Sequence, residues 1–263
     1  MKYSALKIFL EGLSGNQGWK KAWREPDPKK EYDIIIIGGG GHGLSTAYYL
    51  SNVYNINNIA VLEKGWIGSG NIGRNTTIIR SNYLLPENEP FYEFSLKLWE
   101  GLEQDTNYNS MVSQRGVINI FHSDAQKDAA VRRGNAMLLS GADATLLDEN
   151  ALKNLCPYLD FENARFPVKG ALMQKRGGTV RHDAVAWGYA RGADKKGVDI
   201  IQNCEVEDFI IKNGVCSGVV TSKGKIHAKK VASCVAGSSS KVMSKANMRL
   251  PIESHVLQAF VSE

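Results

Sequence analysis

Four consecutive isoleucines, Ile34 to Ile37, run directly into Gly38-Gly39-Gly40-Gly41-His42-Gly43. Such a run of β-branched residues suits a strand buried on both faces, as in a parallel sheet, and the glycines end it. From Gly41 onward Leu44, Ala47, Tyr48 and Leu50 recur near the helical period, so a helix comes next. Asn58 to Leu62 reads as a second short strand. Strand, glycine turn, helix and strand within about 30 residues make a βαβ unit.

The glycines fall at 38, 40 and 43, the spacing of the GxGxxG dinucleotide fingerprint, with Gly41 and His42 between the last two. The first glycine permits the tight turn and the second lets a pyrophosphate approach the backbone. The third lets helix and strand pack closely. The helix start then offers unpaired N–H groups to phosphate. Glu63 comes 20 residues after Gly43, at the end of the second strand, where a carboxylate reaches ribose hydroxyls. A carboxylate there disfavours a 2′-phosphate, which makes NADP the poorest fit. The segment from Lys64 through Asn71, Ile72, Arg74, Asn75 and Thr76 is long, glycine-rich and small-polar, where an NAD domain usually continues promptly into its next βα unit. A loop of this kind can fold back along a bound flavin, and it favours FAD.

Helices are expected at 89–103, 124–140 and 183–196, and a short one opens at Asp148-Glu149 and closes at Pro157. Met111 to Phe121 holds two apolar stretches joined through Gln114-Arg115-Gly116, expected as strands of a second sheet. Val198 to Ile201 reads as a buried strand. Three more strands are expected at 205–211, 215–221 and 225–235, with Asn213-Gly214 and Lys223-Gly224 as turns. This order predicts an α/β fold: a Rossmann-like dinucleotide domain, discontinuous in sequence, with an inserted mixed or antiparallel-sheet domain. The expected boundaries are 31–110 and 167–247 for the first, 111–166 and 248–263 for an incomplete second.

Residues 1–30 carry seven lysines and arginines against three acidic residues, most of the formal charge of +5. This basic arm, with Trp19 and Trp23, reads as an extension lying on its own domain or on a partner subunit. The remainder has no basic stripe of the kind that binds nucleic acid. No apolar run approaches a membrane span and no secretory signal is legible, so the reading is a cytoplasmic chain. The four cysteines show no CxxC pair and read as buried thiols, with no metal site.

Several blocks together resemble the beta subunit of heterotetrameric sarcosine oxidase. They are Tyr32 to Tyr49, Val61 to Tyr83, Ser95 to Trp99, Ser113 to Asn119, Arg181 to Trp187, Gly197 to Val206 and Leu250 to Glu263. The resemblance implies a D-amino-acid-oxidase-type flavoprotein that oxidatively demethylates sarcosine to glycine, reducing oxygen to hydrogen peroxide. It implies assembly with alpha, gamma and delta subunits and transfer of the one-carbon unit to tetrahydrofolate on the alpha subunit. Two flavins are implied, a non-covalent FAD and an FMN held covalently.

Position by position, Gly41, His42, Glu63, Asn71, Thr76 and Ile78 match the family's FAD contacts, and Val206 matches the valine whose backbone meets the adenine. His182 matches the histidine that bears FMN, and Ile72, Arg74 and Asn75 lie where the loop passes between the flavins. Family members continue well beyond the block ending at Glu263, which predicts that most substrate contacts lie in that part; Arg74 and Arg80 are basic candidates here. The competing readings are another amine or amino-acid oxidase or dehydrogenase of the same superfamily, and a flavin-binding module without turnover.

Overall fold

The computed structural model describes residues 4–19, 21–83, 85 and 87–258. In chain order its elements are α1 (Ala5–Leu13), β1 (Glu31–Ile37), α2 (Gly41–Val53), β2 (Ile59–Leu62), β3 (Ile78–Ile79), α3 (Glu89–Thr106), β4 (Val117–Phe121), α4 (Asp124–Leu139), β5 (Thr145–Asp148) and α5 (Glu149–Leu155). Next come β6 (Gly170–Gln174), β7 (Gly178–Thr179), α6 (His182–Lys195), β8 (Asp199–Ile201), β9 (Val206–Lys212), β10 (Val215–Thr221), β11 (Gly224–Ser233) and α7 (Ser239–Ser244). The chain divides into two compact units, Met1–Gly70 with Tyr189–His255 and Asn71–Gly188 with Val256–Glu263.

The first unit is built on a six-stranded sheet of order β8-β2-β1-β11-β10-β9. β8, β2, β1 and β11 run parallel, while β11, β10 and β9 form an antiparallel meander. The isoleucine strand lies in the parallel half, with Ile34 opposite both Ile59 and Lys230. Burial on both faces explains its sequence, since Ile35 and Ile36 on opposite faces are both inaccessible. Leu44, Ala47 and Tyr48 bury the apolar stripe of α2. Asn213 (φ 52°) and Gly214 (φ 76°) both sit at positive φ, the two-residue turn that matches strand twist in a hairpin.

The arm belongs to this unit. Asp199 on edge strand β8 receives Arg24 Nη2 (3.2 Å), Lys29 Nζ (2.9 Å) and the Tyr32 hydroxyl (3.0 Å), and Arg24 Nε also meets Asp194 (2.8 Å). The arm therefore lies on its own domain through residues 24–32. Upstream, α1 leaves Leu6, Phe9, Leu10 and Leu13 exposed.

The second unit contains an antiparallel sheet of order β4-β6-β5 and a two-stranded β3-β7 pair. Met137 of α4, Ala142 and Leu172 of β6 form its core cluster. One expectation is corrected here. Met111 to Phe121 yields one strand, β4; Ser113 makes only an isolated bridge to Thr179, and Met111 takes φ 55°, which interrupts extension. Residues 71–110 and 167–188 fall in the second compact unit, where β6 is the middle strand of β4-β6-β5 and β7 pairs with β3. Residues 248–255 group with the first unit. Of the four cysteines, all free thiols, Cys204 is buried and Cys156, Cys216 and Cys234 are half-buried. No helix among the described residues is long and apolar enough to cross a membrane.

Candidate cofactor site

The strand-to-helix turn of the first unit separates the glycines by what surrounds them. Gly38 has φ +106°, and a Cβ there would lie 2.4 Å from the Cys234 carbonyl oxygen just beyond β11. A Cβ on Gly43 would lie 1.9 Å from the Gly38 oxygen, so the first turn of α2 packs directly on the end of β1. At Gly40 a Cβ would meet no described atom within 4 Å. One side of the turn is thus closed by protein and the other is open to a ligand. Gly40 is also the N-cap of the 13-residue α2, and no described side chain caps it. Helix-start N–H groups, the dipole and open space are the features a phosphate-binding turn requires.

Glu63 leaves the end of β2 beside that turn. Its Oε2 accepts from Gly39 N–H (2.8 Å) and its Oε1 from Gly65 N–H (2.9 Å). The carboxylate is held between the glycine turn and the loop after β2, half-buried, with lone pairs left for further donors. The segment entering β9 lies against it, since Cys204 N–H donates to the Glu63 carbonyl (2.9 Å) and Asn203 N–H to the Gly65 carbonyl (2.9 Å). Val206, two residues on, shares a core cluster with Leu62 and Cys204. The first unit therefore brings together Gly38, Gly40, Gly43, Glu63 and Val206. Gly41 and His42 form the start of α2, with the His42 side chain exposed, and Lys64 is exposed on the loop.

The remaining candidates belong to the second unit. Asn71–Gly73 form a 3₁₀ turn, and Asn75 closes the loop on itself: its Nδ2 donates to the Ile72 carbonyl (2.7 Å) and its Oδ1 accepts from Thr77 N–H (2.7 Å). Asn71, Arg74, Asn75, Thr76 and Ile78 are exposed. Thr77 takes φ 62°, a rare conformation for a β-branched residue, so the loop stores strain at the place where flavin contacts are expected from the sequence. Arg80 does not project freely; it donates to Asn82 (2.8 Å) and lies over the Tyr83 ring.

His182 is the first residue of α6, one position inside the helix and not just before it. Its Nδ1 is buried with no hydrogen-bond partner among the described residues. Beside it Arg181 and Asp183 form a bidentate pair (2.7 and 2.9 Å), and the Arg181 guanidinium holds the Asp183 carboxyl below its usual range. Buried polar atoms are normally hydrogen-bonded, which sets this nitrogen apart from most.

Sequence reasoning missed how Glu63 is held. Gly39 occupies an unspecified position of the fingerprint, yet its N–H is a direct partner. Gln202, whose side chain accepts from Ile67 N–H (2.9 Å), escaped notice because its partner stands 135 residues away and leaves no local signal.

The family model described as FAD dependent oxidoreductase matches residues 33–262. A protein named sarcosine oxidase subunit beta from Rhizobium meliloti is 68% identical over 263 residues, covering all of this chain and 63% of that protein. A protein of the same name from Arthrobacter is 51% identical over 242 residues, 92% of this chain and 60% of its own. The chain thus spans less than two thirds of the length of these relatives. Among solved structures, L-proline dehydrogenase from P. horikoshii superposes with a TM-score of 0.78 at 24% identity, over 84% of this chain and 57% of that one.

Proposed function

Since the chain belongs to the FAD dependent oxidoreductase family, we propose that it is the flavin-binding part of a sarcosine oxidase beta subunit. The reaction is oxidative demethylation of the secondary amine sarcosine to glycine, the N-methyl carbon leaving as a one-carbon unit at the formaldehyde level while oxygen is reduced to hydrogen peroxide. One observation carries this reading: a phosphate-accepting turn, open at Gly40, stands beside a clamped carboxylate at Glu63 in a chain 68% identical to a protein of that name. FAD, when bound, supplies the electron acceptor that no protein side chain can supply.

The chain's own residues bind and orient. The start of α2, Gly41 to Gly43, faces the pyrophosphate, Glu63 takes the ribose hydroxyls, and the backbone at Val206 meets the adenine. Lys64, Asn71, Ile72, Arg74, Asn75, Thr76 and Ile78 are assigned as further cofactor contacts. All of these except Ile72 are exposed, which supports their availability for such contacts. His182 holds a second flavin, FMN, covalently; its Nδ1, buried with no hydrogen-bond partner among the described residues, supports the assignment. The partners are alpha, gamma and delta subunits, with tetrahydrofolate on the alpha subunit as one-carbon acceptor.

Adding sarcosine anaerobically to the FAD-loaded protein tests the substrate. Bleaching of the visible flavin absorbance is expected. Full colour in saturating sarcosine, with bleaching by another amine, would move the substrate elsewhere in the superfamily.

A further inference from the structure

Glu63 can meet a ribose only if the loop after it stays in place, because Gly65 N–H fixes one of its carboxylate oxygens. That loop is tied to the segment joining β8 to β9. Three backbone hydrogen bonds make the tie: Glu63 N–H to the Ile201 carbonyl, Cys204 N–H to the Glu63 carbonyl, and Asn203 N–H to the Gly65 carbonyl, each 2.9 Å. A fourth runs through a side chain, from Ile67 N–H to Gln202 Oε1 at 2.9 Å. Ile67 is 4% exposed, so its N–H sits in a dry place where a partner matters. Beyond it Gly68 turns at φ +95°, and Ser69 N–H closes on the Trp66 carbonyl (2.9 Å). The loop is therefore a short bridge, with Glu63 and Gly65 on one footing and Ile67 on the other.

We propose that Gln202 is a positioning residue for the adenosine end of the dinucleotide, acting through Ile67 and Gly65 on the Glu63 carboxylate. The inference rests on the reading of the turn and Glu63 as the dinucleotide site. Gln202 itself touches no ligand. It fixes the loop that gives Glu63 its second backbone donor, and so the direction in which the carboxylate presents its free lone pairs.

The test is titration of the full chain with FAD and separately with ADP, the half that reaches Glu63. Gln202→Leu removes the acceptor at similar volume and is expected to weaken both ligands by about tenfold, the scale of one lost hydrogen bond. Gln202→Glu keeps an oxygen in place and should stay within about threefold of the parent. In a Glu63→Gln background, Gln202→Leu should add less than about twofold, because its route to the ligand has already been cut. A merely structural role would not produce that non-additivity. If Gln202→Leu does not fold, Gln202→Asn, which withdraws the acceptor by one methylene, takes its place with the same expectations. Equal affinities in parent and variant, or losses that multiply with Glu63→Gln, would overturn the role of Gln202 while leaving the site intact. Failure of the parent chain to bind either FAD or ADP would overturn the site and this inference together.

Discussion

Glu63 presents both carboxylate oxygens to backbone N–H groups, Gly39 on one side and Gly65 on the other. A glutamine there supplies only one acceptor oxygen and turns its NH₂ toward a donor. Glu63→Gln should therefore weaken FAD binding by about 1–3 kcal/mol, the range for hydrogen bonds to a charged group. Unchanged affinity in a titration of apoprotein would mean that Glu63 does not face the ribose. Tyr32 gives a second prediction at a single side chain. Burial, with the Asp199 carboxylate beside it, pushes its phenol up to about 12. A raised pKa in the folded state means that the folded chain favours the protonated phenol. That contribution to stability is intact below the ordinary phenol value near 10 and is lost as pH rises toward about 12. Tyr32→Phe should flatten the fall in denaturation midpoint over that window, and an unaltered alkaline profile would place the titrating group elsewhere.

Within the turn from β1 to α2, two substitutions of the same kind should behave oppositely. Gly43→Ala drives a Cβ into the Gly38 carbonyl and should destabilise the fold by about 3 kcal/mol, the upper end for overpacking. Gly40→Ala meets no described atom and has an ordinary negative φ of −83°, so stability should change by less than about 0.5 kcal/mol. Its methyl group would occupy the space left for phosphate, so FAD affinity should fall although the fold is intact. Loss of stability at Gly40, or full affinity there, would contradict the cradle. This turn was legible because strand, glycine spacing and helix are local and agree. The 215–221 strand and the Asn213-Gly214 turn were legible for the same reason. The second unit was harder to read. β6, Gly-Ala-Leu-Met-Gln, holds no β-branched or aromatic residue, and its identity as a middle strand comes only from its pairing with β4 and β5. β5 is four residues long and runs straight into the N-cap Asp148 of α5, so the helix signal masked it. Gln202 and the Asp199 cluster act through partners far away in sequence, which no local pattern reveals.

The chain spans 63% of its relative from Rhizobium meliloti. The glycine turn and Glu63 lie in the first unit, whereas His182 lies in the second. His182→Asn in the complete assembly should abolish flavin that stays with the acid-denatured polypeptide and leave the FAD bound. Covalent flavin persisting in that variant would give the attachment to another residue. Whether FAD occupies the glycine turn is decided by denaturing the purified 263-residue chain in acid and identifying the nucleotide released. FAD should come off free and in proportion to the chain, with the amount falling sharply for Gly40→Ala. Release of a nicotinamide dinucleotide instead, or of FAD undiminished by Gly40→Ala, would contradict that occupancy.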